Sequence, residues 1–141
     1  MGLQTAITNI KTQIAAITGI KGASDYLPDS LPNTDNWVVL YPGNSTFEVN
    51  AGMMKELGSI VVELHTPRRA DLASAIKRVM PYWEAIPNCI IDEVMDTQLT
   101  AAVSTIGVIT CSGIISMKYN DIDTVGFRYT VTGVKIESSI T

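Results

Sequence analysis

Charge is scarce in this sequence. Asp, Glu, Lys and Arg make up 17% of its 141 residues, against about 25% in ordinary soluble domains. Aromatic residues stand at only 6%, with one histidine and two cysteines. The hydrophobic share is nonetheless 46%, and mean hydropathy is +0.21. Intrinsic disorder needs low hydrophobicity and high net charge, so it is excluded. A lone, highly soluble monomer fits poorly, whereas an assembly that hides part of its surface accounts for the deficit. The length is that of one domain. A chain of this size buries roughly 68% of its unfolded surface, enough for a core without disulfides or metals.

Each further absence removes a class of function. Net charge is −4 and the sequence pI is about 4.8. No stripe of Lys or Arg forms, so tight nucleic-acid binding is disfavoured. Arg68-Arg69 reads as a solvated helix start. The aromatic residues do not alternate with basic ones, which leaves a base-stacking platform unsupported. His65 is the single histidine, so no His-based metal cluster forms within one chain. It follows Glu63 on the polar side of an alternating strand and reads as a surface or interface residue. A general-base role needs a nucleophile and an orienting partner that the sequence does not offer. Cys89 and Cys111 lie far apart among apolar neighbours and match no metal spacing. They read as buried, inert thiols in a reducing cytosol. No phosphate-cradling glycine loop or nucleophile elbow is present. The first five residues lack a basic segment leading into an apolar run, so no secretory leader is expected. Gly2 invites N-myristoylation, but Ala6 stands where that motif wants Ser or Thr. Residues 97–117 are uncharged and long enough to span a bilayer. Their Ser and Thr content, β-branched residues and glycines at 107 and 113 fit two strands with a bend better.

What is present is periodicity. Leu3, Ile7, Ile10, Ile14 and Ile17 form one stripe of an amphipathic helix over 3–18, with Gly19 as its terminator. The stripe suits either a core-docking helix or a helix contact in an oligomer. Residues 20–35 read as a long loop, and Asp25 and Asp29 as solvated carboxylates within it. Trp37-Val38-Val39-Leu40-Tyr41 reads as a strand buried on both faces, followed by a turn. Residues 46–49 return as a short strand, and 50–55 form an exposed tip. From 57 to 65 the chain alternates, with Ile60, Val62 and Leu64 inward and Ser59, Glu63 and His65 outward. Leu72, Ile76, Val79, Trp83 and Ile86 predict a bent helical region over 69–94, with Pro81 and Pro87 at its bends. Asp92, Glu93 and Asp96 read as its solvated end. Strands follow over 103–110 and 113–119, then a turn at 120–123. A last strand flips phase after Gly133. The tail 137–141 is expected to fray. The order predicts a single α+β domain: a mainly antiparallel sheet with two helical regions packed on one face.

Certain strings matter together. They are Val38-Val39-Leu40-Tyr41-Pro42-Gly43, Leu57-Gly58-Ser59-Ile60-Val61-Val62-Glu63-Leu64-His65 and Arg68-Arg69-Ala70-Asp71-Leu72. Met80-Pro81-Tyr82, Ile86-Pro87-Asn88 and Asp123-Thr124-Val125-Gly126-Phe127-Arg128-Tyr129-Thr130-Val131 complete the set. In this order the chain resembles the tail-terminator, or tail-completion, proteins of long-tailed bacteriophages, over about residues 35–136. The resemblance implies a small α/β fold that assembles as a homo-hexameric ring on the last ring of tail-tube protein. The ring would stop tube polymerisation and join the tail to the head connector. DNA would pass through its lumen without specific binding. It implies a virion protein assembled in the host cytoplasm, with no membrane, enzymatic activity, catalytic residue, cofactor or metal. Ring contacts are expected on turns that carry exposed apolar residues: Asn44, Ser45, Phe47, Met53, Met54, Asn120, Asp121, Ile122 and Asp123. Two other readings remain open. One is a head–tail connector or neck protein of the same virion region. The other is a small cytosolic ligand-binding α+β domain, which would need a pocket with convergent polar groups.

Overall fold

The computed structural model describes residues 3–26, 35–68, 71–95, 107–119 and 122–139. Helix α1 spans Leu3–Ala15, followed by the short strand β1 (Gly22–Ser24). Strands β2 (Trp37–Pro42), β3 (Thr46–Asn50) and β4 (Met53–Pro67) come next. Helix α2 (Leu72–Val79), a 3-10 turn (Met80–Tyr82) and helix α3 (Ala85–Met95) form the bent helical region. Strands β5 (Val108–Cys111), β6 (Ile115–Tyr119) and β7 (Ile122–Ser139) close the chain. The sheet order is β1-β2-β4-β7-β5, with β3 beside β4 and β6 beside β7. β1 runs parallel to β2, and the other described pairings are antiparallel. This is the predicted α+β arrangement in one domain.

The alternation in β4 decides the layers. Leu64 pairs with Val38 and Phe127, Val62 with Leu40 and Tyr129, and Ile60 with Pro42 and Val131. One face of the sheet is therefore apolar across three strands, and burying it supplies the main driving force. Ala6, Ile7, Ile10 and Ile14 of α1 pack on it, together with Val79, Tyr82, Ile86 and Ile90. Most of the stripe of α1 is thus buried within its own chain, with Leu3 and Ile17 only partly covered. Trp83, Phe127 and Tyr129 meet edge to face, with ring centroids 5.2 and 5.5 Å apart along the row. Asp71 caps α2 by accepting from the Ala73 amide at 3.0 Å and from Ser74 Oγ at 2.6 Å.

The structure corrects several expectations. α1 stops at Ala15, and Gly19 closes the turn that follows. The predicted loop 20–35 contains β1, whose pairing with Trp37, Val38 and Val39 satisfies its backbone. Asp25 is no free carboxylate, because Thr8 Oγ1 donates to it at 2.9 Å and Lys11 Nζ stands 3.8 Å away. Asp29 lies outside the described residues, as does Asp96. For Asp92 and Glu93 only the α3 backbone is described. The tip at 50–55 is tighter than predicted: Ala51 and Gly52, at φ 48° and 83°, make the turn, and β4 starts at Met53. The tail does not fray at once, since β7 pairs through Ser139 with Met53. Cys89 and Cys111 are both only partly buried.

The phase flip in the last strand is a real bulge. Gly58 pairs with Val134 but Ile60 pairs with Val131, so Thr132 and Gly133 together face Ser59. Gly133 takes φ 72°, the left-handed region that a side chain disfavours. The extra residue lets Val131 and Val134 both reach the core.

Candidate functional site

The contacts expected on turns fall on two separate surfaces. Asn44, Ser45, Phe47, Met53 and Met54 gather around the β3–β4 hairpin. This hairpin continues with residues 134–139 of β7 as a three-stranded arm beyond the bulge. Asp123 stands at the other end of β7, exposed and paired with Lys118. Ile122 starts β7 opposite Tyr119, and Asn120 and Asp121 lie outside the described residues. The single set of contacts expected from sequence is therefore two patches at opposite ends of one long strand.

Every residue of β3 is exposed. Phe47 keeps 58% of its surface accessible and Val49 70%, and across the hairpin Met53 keeps 48% and Leu57 50%. Met54 is half-buried. Phe47 and Val49 lie on one face of the hairpin and Met53 and Leu57 on the other, and apolar side chains exposed on both faces are a liability in a monomer. Val49 and Leu57 were missed in the sequence reading. Leu57 shares the phase of Ser59 and Glu63, which was the available signal. At the root of the arm, Ser59 Oγ donates to the Asn44 carbonyl at 3.1 Å and the Gly43 amide to the Ser59 carbonyl at 2.8 Å.

A second feature overturns the outward reading of Glu63 and His65. Both are buried, at 4% and 2% exposure. They lie on the sheet face opposite the main core. Glu63 Oε2 accepts from Tyr41 Oη at 2.7 Å and from Arg128 Nε at 2.6 Å, and its Oε1 lies 3.0 Å from His65 Nε2. His65 Nδ1 lies 2.8 Å from Thr124 Oγ1. An ionised carboxylate only accepts, so His65 Nε2 carries the hydrogen on that side. Burial pushes the Glu63 carboxyl upward, but the hydrogen bonds from His65, Tyr41 and Arg128 outweigh it and hold it at about 2. Burial, then the Glu63 carboxylate, pushes the Tyr41 hydroxyl up to about 12. The same carboxylate raises the Arg128 guanidinium further. Such a set of charge-assisted bonds fixes strand positions.

This network carries a pH prediction. Glu63 titrates near 4.5 when unfolded and near 2 when folded. Its contribution is complete above about pH 5 and is lost as the pH falls toward 2. Thermal unfolding midpoints followed down in pH should drop across that window, and Glu63→Gln should flatten the drop. An unchanged acid limb in the variant would contradict the assignment.

Elsewhere, a groove of about 330 Å³ between α3 and β5 is lined by Trp83, Pro87, Ile91, Ile109 and Cys111, with Glu84, Asn88 and Tyr129 as its polar members. Among the described residues no group of three or more His, Cys, Asp or Glu is placed to hold a metal. No described helix is long and apolar enough to cross a membrane. No family model matches the chain, and no curated protein matches its sequence.

Proposed function

We propose that this chain is a structural subunit of a long-tailed bacteriophage tail. Six copies form a ring that caps the tail tube, ends tube polymerisation and joins the tail to the head connector. The observation that carries this reading is the arm, where Phe47, Val49, Met53 and Leu57 stand exposed on one hairpin. The resemblance of its sequence strings to tail terminators supplies the partners. On this reading the chain is not an enzyme, needs no cofactor or metal and resides in the virion after assembly in the host cytoplasm. Its net charge of −4 suits a lumen through which DNA slides without sticking.

Joint replacement of Met53 and Met54 by aspartate tests the assignment. Both sit at the turn end of the hairpin, so the fold should survive, as circular dichroism will show. Electron microscopy of tail-tube protein polymerised with the wild-type chain should show capped tubes of limited length and six-fold rings. With the variant, tubes should grow uncapped. Normal rings and caps from the variant would sink the assignment. A neck protein would bind connector but leave tube growth unchanged.

A further inference from the structure

Two carboxylates are buried among the described residues, and their surroundings differ. Glu63 accepts from three donors. Glu56 is 7% exposed, and among the described residues no donor or cation meets it. It pairs with Phe47 on one side and Ile136 on the other, in phase with Ile60 and Leu64. Its side chain therefore lies on the sheet face that α1 covers. Between the first turn of α1 and the root of the arm is a groove of about 520 Å³. Leu3, Ile7, Pro42 and Phe47 form its apolar walls, and residues 43–45 and Gln4 add polar groups. Glu56 is the one charged residue in its lining.

A buried carboxylate is costly unless it is paired. The dipole of α1, whose first turn carries no acidic residue, offsets part of that cost. It does so without filling the lone pairs, which stay available to a donor from outside.

We propose that this groove is a socket for a lysine or arginine side chain of a partner protein. Glu56 takes the cationic head, and Leu3, Ile7 and Phe47 cover the aliphatic stem. Long basic side chains combine an apolar stem with a charged tip in this way. A small inorganic cation would leave the apolar walls bare. A neutral apolar residue would leave the carboxylate buried and unpaired. The donor belongs to a different protein rather than to a second copy. At a net charge of −4 the chain attracts a basic surface, whereas two copies repel. Several of its own bases also face acids within the chain: Lys11 stands by Asp25, Arg78 by Asp35 and Arg128 by Glu63. Such a socket does not depend on the ring.

The test uses the full-length chain and two peptides, acetyl-leucyl-lysyl-leucinamide and its norleucine counterpart, which keeps the stem but not the charge. In amide NMR titrations the lysine peptide should shift Leu3, Gln4, Ser45 and Phe47. It should bind about tenfold more tightly than the norleucine peptide, the gain from one charge-assisted hydrogen bond. Glu56→Gln should erase that preference without lowering the urea midpoint of the chain alone, since it removes an unpaired buried charge. Phe47→Ala, at an exposed site, should weaken both peptides alike. Equal binding of the two peptides, or a preference that survives Glu56→Gln, would overturn the socket. A lower urea midpoint in Glu56→Gln would overturn it too, because the carboxylate would then be serving its own fold. Calcium chloride that displaces the lysine peptide, where sodium chloride of equal ionic strength does not, would replace the socket by an inorganic cation site. Self-association that the lysine peptide competes away would overturn the choice of a different protein in favour of a second copy. None of these outcomes alters the capped tubes expected of the ring.

Discussion

Replacing Glu63 by alanine is expected to destabilise the protein by about 3–5 kcal/mol, the range for removing one partner of a buried ion pair. Three donors lose their acceptor at once: Tyr41 Oη, Arg128 Nε and His65 Nε2. Their fates differ. The Arg128 side chain is 43% exposed and turns to water, and Tyr41 is half-buried. His65 is 2% exposed and has no such recourse. Most of the loss should therefore fall on His65, since an unsatisfied buried donor carries its full desolvation penalty. Urea unfolding of single and double variants measures this. Coupling between Glu63 and His65 should exceed coupling between Glu63 and Arg128. A loss under about 1 kcal/mol, or the reverse order of couplings, would reject the account.

Gly126→Ala should be worse still, above the roughly 4 kcal/mol that marks exceptional single substitutions. A Cβ at 126 would lie 1.7 Å from the Leu64 carbonyl oxygen and 2.8 Å from its carbon. These are backbone atoms of the central strand β4. That strand is held by β2 on one side and β7 on the other, so it cannot yield cheaply. Gly126 is itself paired with both His65 and Ile115. Gly52→Ala is the natural control, because nothing lies within 4 Å of its Cβ position and only its φ of 83° opposes the change. It should lose about 1 kcal/mol. If Gly126→Ala unfolds at the same urea concentration as that control, the close approach of β4 and β7 is not a requirement of the fold.

The sequence showed the framework because periodicity reports burial. The stripe of α1, the alternation at Ile60, Val62 and Leu64, and the flip at Gly133 all became packed structure at the expected positions. Glu63 and His65 misled because polar residues in alternation usually face water. The correcting signal lay in β2. Val38, Val39 and Leu40 are apolar without a break, which means cover on both faces of that strand. Val39 pairs directly with Glu63, so whatever covers one must cover the other. β1 was hidden by its length of three residues and its Gly-Ala-Ser composition, too little for any period to emerge. The arm was legible only in part. Its turn residues and methionines stood out, but Val49 and Leu57 look like ordinary strand residues until the empty space around them is seen.

The bulge at Gly133 has a mechanical consequence. β4 and β7 cross it without interruption, so the arm is a continuation of the two strands that hold the centre of the sheet. No hinge intervenes. The arm behaves as a stiff cantilever whose angle is set by one extra residue, and bending it would disturb hydrogen bonds rooted in the core. Under the proposed ring, a copy that joined its neighbour through such a lever would take a turn fixed in the geometry of a single chain, before any second copy arrived.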